Sequence, residues 1–289
     1  MKLNKGDTIG IISLAGKCDR NKIEKSKSYF ESLGYKVKLS KIIFDNERYL
    51  AGSDENKVNA LHDFFTDKEI KLILVARGGY GSIRIINQIN YDIIKNNQKI
   101  FCGYSDITAL LLMIYKKTGI ITYHSPMAQG DFDLESGEKT FTTKSFFDVI
   151  NQKINCFQTD FIYNPGYAEG ILWGGNLSTV VSLCGQDFIP DKDFIFFAED
   201  LNEPVYKIDK MFTQLLNIKD FKQKCKGIIL GNFIDVDNKE WLSELFEEIA
   251  NYLNIPTYVN YKISHSADKI TLPVGQNAIL QNDKLILKD

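Results

Sequence analysis

Histidine is scarce in this chain, with only His62, His124 and His265 among 289 residues. A multi-histidine metal centre is not expected from so few. The five cysteines (Cys18, Cys102, Cys156, Cys184 and Cys225) are odd in number, widely spaced and free of any CxxC pair. That pattern argues against a disulfide framework and against a zinc site, and fits reduced thiols in a cytosolic protein. Charge of one sign is also missing. The formal net charge is −2, with no basic run and no acidic tail, so no nucleic-acid surface is expected. A small or neutral ligand suits this balance better than a polyanion. No apolar stretch approaches the roughly 20 residues of a membrane span.

The first residues, MKLNKGDTIGIISLAGKC, superficially resemble an export signal. The apolar run over 9–14 is preceded by Gly6 and Asp7 and is shorter than the roughly 7–15 residues of a signal core. Lys17 separates Gly16 from Cys18, which spoils a lipoprotein reading. A first β-strand accounts for the segment, and a soluble, cytoplasmic protein is expected. Two nucleotide signatures are lacking as well. From Gly79, the third glycine of a dinucleotide fingerprint falls on Arg84, and no G-K-[ST] of a phosphate loop occurs.

What is present is a chain 44% hydrophobic and 25% charged, long enough for one large domain or two ordinary ones. Apolar runs over 8–14, 70–76 and 99–102 read as buried parallel strands. Helical patterns follow over 20–33, with Gly34 as its stop, from Ser53 as a cap, and over 107–117. A further helix is expected after the glycine-rich turn 77–81. The βα alternation implies a parallel sheet covered by helices on both faces. Residues 127–167 have weak periodicity and read as an inter-domain connection with some structure of its own. Beyond them come strands over 170–177, 194–198 and 227–230, helices over 178–183, 206–216 and 241–253, and a closing hairpin through Asn282–Asp283.

Four groups of residues carry possible chemistry. Ser105, in GYSD, follows a short strand and opens a helix, the place of a nucleophile elbow. Position 107 is Ile where the elbow motif has glycine, so a plain helix cap remains open. Arg77-Gly78-Gly79-Tyr80-Gly81 follows the strongest strand, where glycine amides face a ligand or simply turn the chain. Both loops lie at the carboxyl ends of strands, where sites gather in open parallel sheets. Glu199 and Asp200 end an apolar strand, and an acid there orients an imidazole or merely meets solvent. His62 is expected on a helix surface. His124 and His265 are not distinguished by position alone.

Together these stretches resemble the LD-carboxypeptidase family of serine peptidases, also called S66, which includes the microcin-immunity peptidases. The resemblance runs from GDTIGIIS through RYLAGSDENKVNALHDFFTDKEIKLILVARGGYG, GYSDITALL, GILWGGNLS, FFAEDLNEPVYKIDKMF and KGIILGNF to HSADKITLPVG. It implies a Ser–Glu–His triad carried by Ser105, Glu199 and His265. The implied oxyanion hole is the backbone N–H of Gly79 and of Asp106. The implied fold is α/β, with a Rossmann-like parallel-sheet N-terminal domain (1–126) and a smaller β-rich α+β C-terminal domain (168–289), joined through 127–167. The nucleophile comes from the first and the Glu and His from the second. The implied substrate is a cytoplasmic murein tetrapeptide, cut before its terminal D-alanine in cell-wall recycling. No metal or cofactor is required, no membrane or nucleic-acid partner is expected, and a homodimer is. A microcin-C-type immunity hydrolase is the alternative, and a non-catalytic binding module a more distant one. Arg77, Trp173 and Asn176 are candidate substrate contacts, against the alternatives of a loop brace, a packed tryptophan and a turn asparagine. Two departures from the family pattern stand out: SLAGKCD after the first strand, and Ser264 where glycine is expected.

Overall fold

A computed structural model of the chain describes residues 1–132, 140–159 and 161–288. Two compact units emerge: Met1–Lys153 with Thr271–Pro273, and Ile154–Ile270 with Val274–Asp289. Residues 127–167, expected as a connection, carry two helices and two strands. Residues 133–139 and 160 of that stretch lie outside the described residues.

The first unit contains strands β1 (Thr8–Ile12), β2 (Lys36–Leu39), β3 (Ile70–Val75), β4 (Ile100–Gly103) and β5 (Thr122–His124). Its helices are α1 (Arg20–Ser32), α2 (Asp54–Thr66), α3 (Tyr91–Asn96), α4 (Thr108–Thr118), α5 (Ala128–Asp131) and α6 (Phe141–Ile150). The apolar runs become buried strands, and the capping residues fix where the helices begin. Asp19 accepts from the Lys22 amide to start α1, and Ser53 accepts from the Asn56 amide to start α2. Gly34, at φ 88°, and Gly119, at φ 74°, follow the ends of α1 and α4 in the left-handed region. The helix expected after the 77–81 turn is preceded by a run of turns. Residues 83–88 make these turns, with the amides of Ile85 and Gln88 reaching back only three residues, to Ser82 and Ile85. Helix α3 begins later, capped by Asn90.

Five strands are mutually parallel through the pairs β2–β1, β1–β3, β3–β4 and β4–β5. The sixth strand of the sheet, at the β5 edge, is the distant segment Leu272–Val274. The sheet order places β3 beside β4, with Leu74 opposite Cys102. The loops leaving these two strands therefore emerge side by side at one end of the sheet.

The second unit is built on an eight-stranded sheet. Its strands are β6 (Cys156–Gln158), β7 (Phe161–Asn164), β8 (Ala168–Asn176), β9 (Phe194–Leu201), β10 (Cys225–Ile234) and β11 (Thr257–Val259), followed by β13 (Asn277–Gln281) and β14 (Lys284–Leu287), with β12 (Leu272–Val274) being the edge strand of the first sheet. The order is β6-β14-β13-β8-β9-β10-β11-β7. The central run β8–β9–β10–β11 is parallel and the flanks are antiparallel. Helices α7 (Leu177–Ser182), α8 (Val205–Leu216), α9 (Lys219–Lys224) and α10 (Lys239–Leu253) complete it. The mixed α/β architecture, with a parallel sheet first and a β-rich unit second, is the one expected. The closing hairpin turns through Asn282 and Asp283, both at positive φ, as a two-residue turn of the primed type requires. Among the described residues no helix is long and apolar enough to cross a membrane.

Strand β9 reads FIFFAEDL and is buried through Asp200. Its neighbour β8 passes so close that a Cβ on Gly174 would lie 1.9 Å from the Phe197 carbonyl oxygen, and Gly174 has φ 147°. Gly174→Ala is therefore expected to lose about 3 kcal/mol or more of stability, combining overpacking with backbone strain. Urea unfolding checks this, and an unchanged midpoint would show that the two strands tolerate separation.

Candidate active site

Ser105 sits where β4 gives way to a single 3-10 turn, Ser105–Ile107, that runs into α4. Its φ is 61°, in the left-handed region that a serine rarely adopts. Two close approaches surround it. A Cβ added to Gly78 would lie 2.9 Å from Ser105 Cβ, and one added to Gly103 would lie 2.8 Å from Ile107 Cγ2. Glycine at 78 thus leaves room for Ser105, and glycine at 103 for the Ile107 side chain. Asp106 is 7% exposed, and its carboxylate accepts from the Ser82 amide at 2.8 Å. Burial pushes this carboxyl above its ordinary range, opposed by the amides of Ser82 and Gly81, the Ser82 hydroxyl and the Lys57 charge.

The glycine-rich loop beside it is firmly held. The Gly16 amide donates to the Gly78 carbonyl at 3.0 Å, and Arg77 Nη1 donates to the Lys17 carbonyl at 3.2 Å. Arg77 thus braces the loop. Gly79 has φ 105°, which glycine adopts without penalty. The unusual exit from β1 meets this loop too. Cys18 is held near Arg77, but burial drives its thiol up to about 12, so it is not a reactive thiolate.

In the second unit, His265 and Glu199 are brought together. Glu199 Oε2 lies 2.7 Å from His265 Nδ1, with Glu199 fully buried and the His265 side chain 15% exposed. Glu199 projects from β9 opposite Asn176 of β8. Burial raises the Glu199 carboxyl above its usual value, and the hydrogen bond and charge of His265 pull against that rise. For His265, burial lowers the imidazole. The hydrogen bond and charge of Glu199, with the charge of Asp200, outweigh burial and raise it. The pair titrates as a unit. Asp200 does different work: it accepts from Asn176 Nδ2 at 2.8 Å and from the Ser178 amide at 2.8 Å, tying β9 to the start of α7. Ser264, in place of the expected glycine, accepts from the Ser266 amide at 2.9 Å and so fixes the turn that presents His265.

Two candidate substrate contacts have structural surroundings. Trp173 is fully buried, its ring 5.3–5.9 Å from those of Phe188, Phe194 and Phe196. It packs in this aromatic cluster, as the packed-tryptophan alternative has it, on a stretch of β8 buried from Ile171 to Asn176. Asn176 caps α7, its Oδ1 accepting from the Thr179 amide at 3.1 Å. Of the remaining histidines, His124 is 2% exposed and sits edge-on to Tyr104, and His62 Nε2 accepts from the Asn90 amide at 3.0 Å.

The family model described as the LD-carboxypeptidase N-terminal domain matches residues 9–125, and that described as the LD-carboxypeptidase C-terminal domain matches residues 169–280. The chain belongs to the LD-carboxypeptidase family. Among the LD-carboxypeptidases, the probable murein peptide carboxypeptidase of Bacillus subtilis is 35% identical over 294 residues, spanning 96% of this chain and 90% of that protein. The microcin C7 self-immunity protein MccF of Escherichia coli is 26% identical over 315 residues, spanning 96% and 91%. The crystal structure of muramoyltetrapeptide carboxypeptidase from Oxalobacter formigenes superposes with a TM-score of 0.89 at 27% identity, covering 98% of this chain and 99% of that one. The chain is thus an S66-family peptidase, as its motifs implied.

The paired Glu199 and His265 yield a direct expectation. An imidazolium stabilised by a buried carboxylate holds its proton above the ordinary histidine pKa near 6.5. NMR titration should find His265 above that value, and Glu199→Gln should lower it. An unshifted His265 in both proteins would contradict the pairing.

Proposed function

We propose that this chain is a serine LD-carboxypeptidase that removes the terminal D-alanine of murein tetrapeptides in the cytoplasm, during cell-wall recycling. The observation that carries the reading is the left-handed backbone of Ser105 at a strand-to-helix turn, the geometry of an activated nucleophile. The hydrogen-bonded Glu199–His265 pair supports it by supplying a base and its orienting acid. The names and likeness of the Bacillus and Oxalobacter proteins support the substrate class.

In the proposed reaction, His265 takes the Ser105 hydroxyl proton as Oγ attacks the scissile carbonyl. Glu199 holds the imidazole in one orientation and stabilises the cation that forms. The amides of Gly79 and Asp106 receive the oxyanion, each such donor being worth about 10²–10³ in turnover. His265 then protonates the leaving amino group of D-alanine, and water, activated by the same imidazole, releases the acyl group. The working form is proposed to be a homodimer.

A second reading, hydrolysis of a microcin-C-type peptidyl-nucleotide by the same residues, is favoured by the similarity to MccF. Faster turnover of a peptidyl-nucleotide than of a muropeptide would select it.

The test is D-alanine release from murein tetrapeptide. Wild type should release it, and Ser105→Ala should lose about 10³-fold or more in kcat. Because neutral His265 is the base, activity should rise with pH through a pKa above 6.5. No release by wild type, or equal release by Ser105→Ala, would overturn the reading.

A further inference from the structure

Lys57 is an outlier in this chain. It lies on α2, and its side chain has no exposed surface. A lysine is almost never fully buried without paired charges. Its Nζ lies 2.9 Å from Asp54 Oδ1 and 3.5 Å from the Gly81 carbonyl oxygen. Asp54 in turn is gripped by the Arg84 guanidinium, with Nη2 at 2.7 Å and Nε at 2.9–3.0 Å. The Lys57 charge also acts on the buried Asp106 carboxylate. Lys57 and Arg84 therefore share the Asp54 carboxylate.

The cluster joins the two segments that hold the chemistry. On one side is the loop running from Gly78 to Ser82, on the other the turn from Tyr104 to Ile107. Asp106 bridges them twice. Its carboxylate accepts from the Ser82 amide at 2.8 Å, and its backbone carbonyl accepts from the Ser82 hydroxyl. Lys57 closes the ring from behind, holding the Gly81 carbonyl on the same loop. A Cβ on Gly81 would come 3.3 Å from Lys57 Nζ, so the approach is close.

We propose that Lys57, through its ion pair with Asp54 and its hydrogen bond to the Gly81 carbonyl, is a positioning residue that locks the glycine-rich loop to the Ser105 turn. This rests on the reading of Ser105 as the nucleophile, with the Gly79 and Asp106 amides as its oxyanion donors. Those donors sit on the two segments joined here, so a slip between the segments misaligns the pair. Such a slip weakens transition-state binding and leaves ground-state binding nearly intact.

The experiment compares wild type with Lys57→Met by D-alanine release and by hydrogen–deuterium exchange. Lys57→Met should lose about 10- to 100-fold in kcat, less than or comparable to one oxyanion donor, with KM within about twofold. Amide exchange should quicken selectively in segments 78–82 and 104–107. Asp106→Asn keeps the shape of the bridge and removes its charge, and it should show the same split if Lys57→Met does not fold. The double variant should be about as slow as the worse single variant, since both remove one device. A folded Lys57→Met or Asp106→Asn with wild-type kcat and wild-type exchange would overturn the proposal. A fall in kcat matched by a rise in KM, without local exchange changes, would do so too. If wild type releases no D-alanine, the substrate reading fails on its own, and the exchange pattern still decides whether Lys57 locks the two segments.

Discussion

A serine at φ 61° persists only where its surroundings outweigh a strain of about 1–3 kcal/mol. Much of the first unit can be understood as supplying those surroundings. Parallel strands β3 and β4 bring two loops out side by side, so Gly78 meets Ser105 directly. Gly103 makes room for Ile107, and Asp106 is pinned through Ser82. Helix α4, buried along most of its length, fixes the turn from the other end. The strain is held by packing and hydrogen bonds together, and no single contact would suffice.

The second unit solves a different problem. A carboxylate with no exposed surface is costly unless a charge-assisted hydrogen bond compensates it. Glu199 has that compensation in His265, at 2.7 Å. Its neighbour Asp200 is diverted to Asn176 and Ser178. Two adjacent acids at one strand end thus acquire separate jobs, one orienting an imidazole and the other anchoring a helix start. The serine at 264 stiffens the turn that carries the imidazole.

How much of this was legible in the sequence follows from how local each cause is. Strand runs such as IKLILV and caps such as Ser53 act within a few residues, and they stand where the pattern put them. Short edge strands did not announce themselves. Leu272–Val274 joins a sheet whose other strands lie far earlier in the chain, and three residues give no periodicity. The turns over 83–88 bury Ile85, Ile86 and Ile89 with backbone bonds of short range, which no sequence period announces. Ser105 was legible locally as a serine at a strand-to-helix turn, and the family resemblance singled it out. Its strain depends on Gly78, a residue from another loop. For Trp173 the sequence left a substrate contact and a packed tryptophan open, and its neighbours in the aromatic cluster come from other segments, Phe188, Phe194 and Phe196. The burial of Lys57 was not legible, since the Gly81 carbonyl it meets comes from a loop 24 residues away.

The central claim is that Ser105 is an activated nucleophile. Reaction with a fluorophosphonate, followed by peptide mapping, tests it most directly. The account predicts a single phosphonyl group, carried on the peptide containing Ser105, and formed at least about 10²-fold more slowly in His265→Ala. Modification at another residue, or an undiminished rate in His265→Ala, would contradict it.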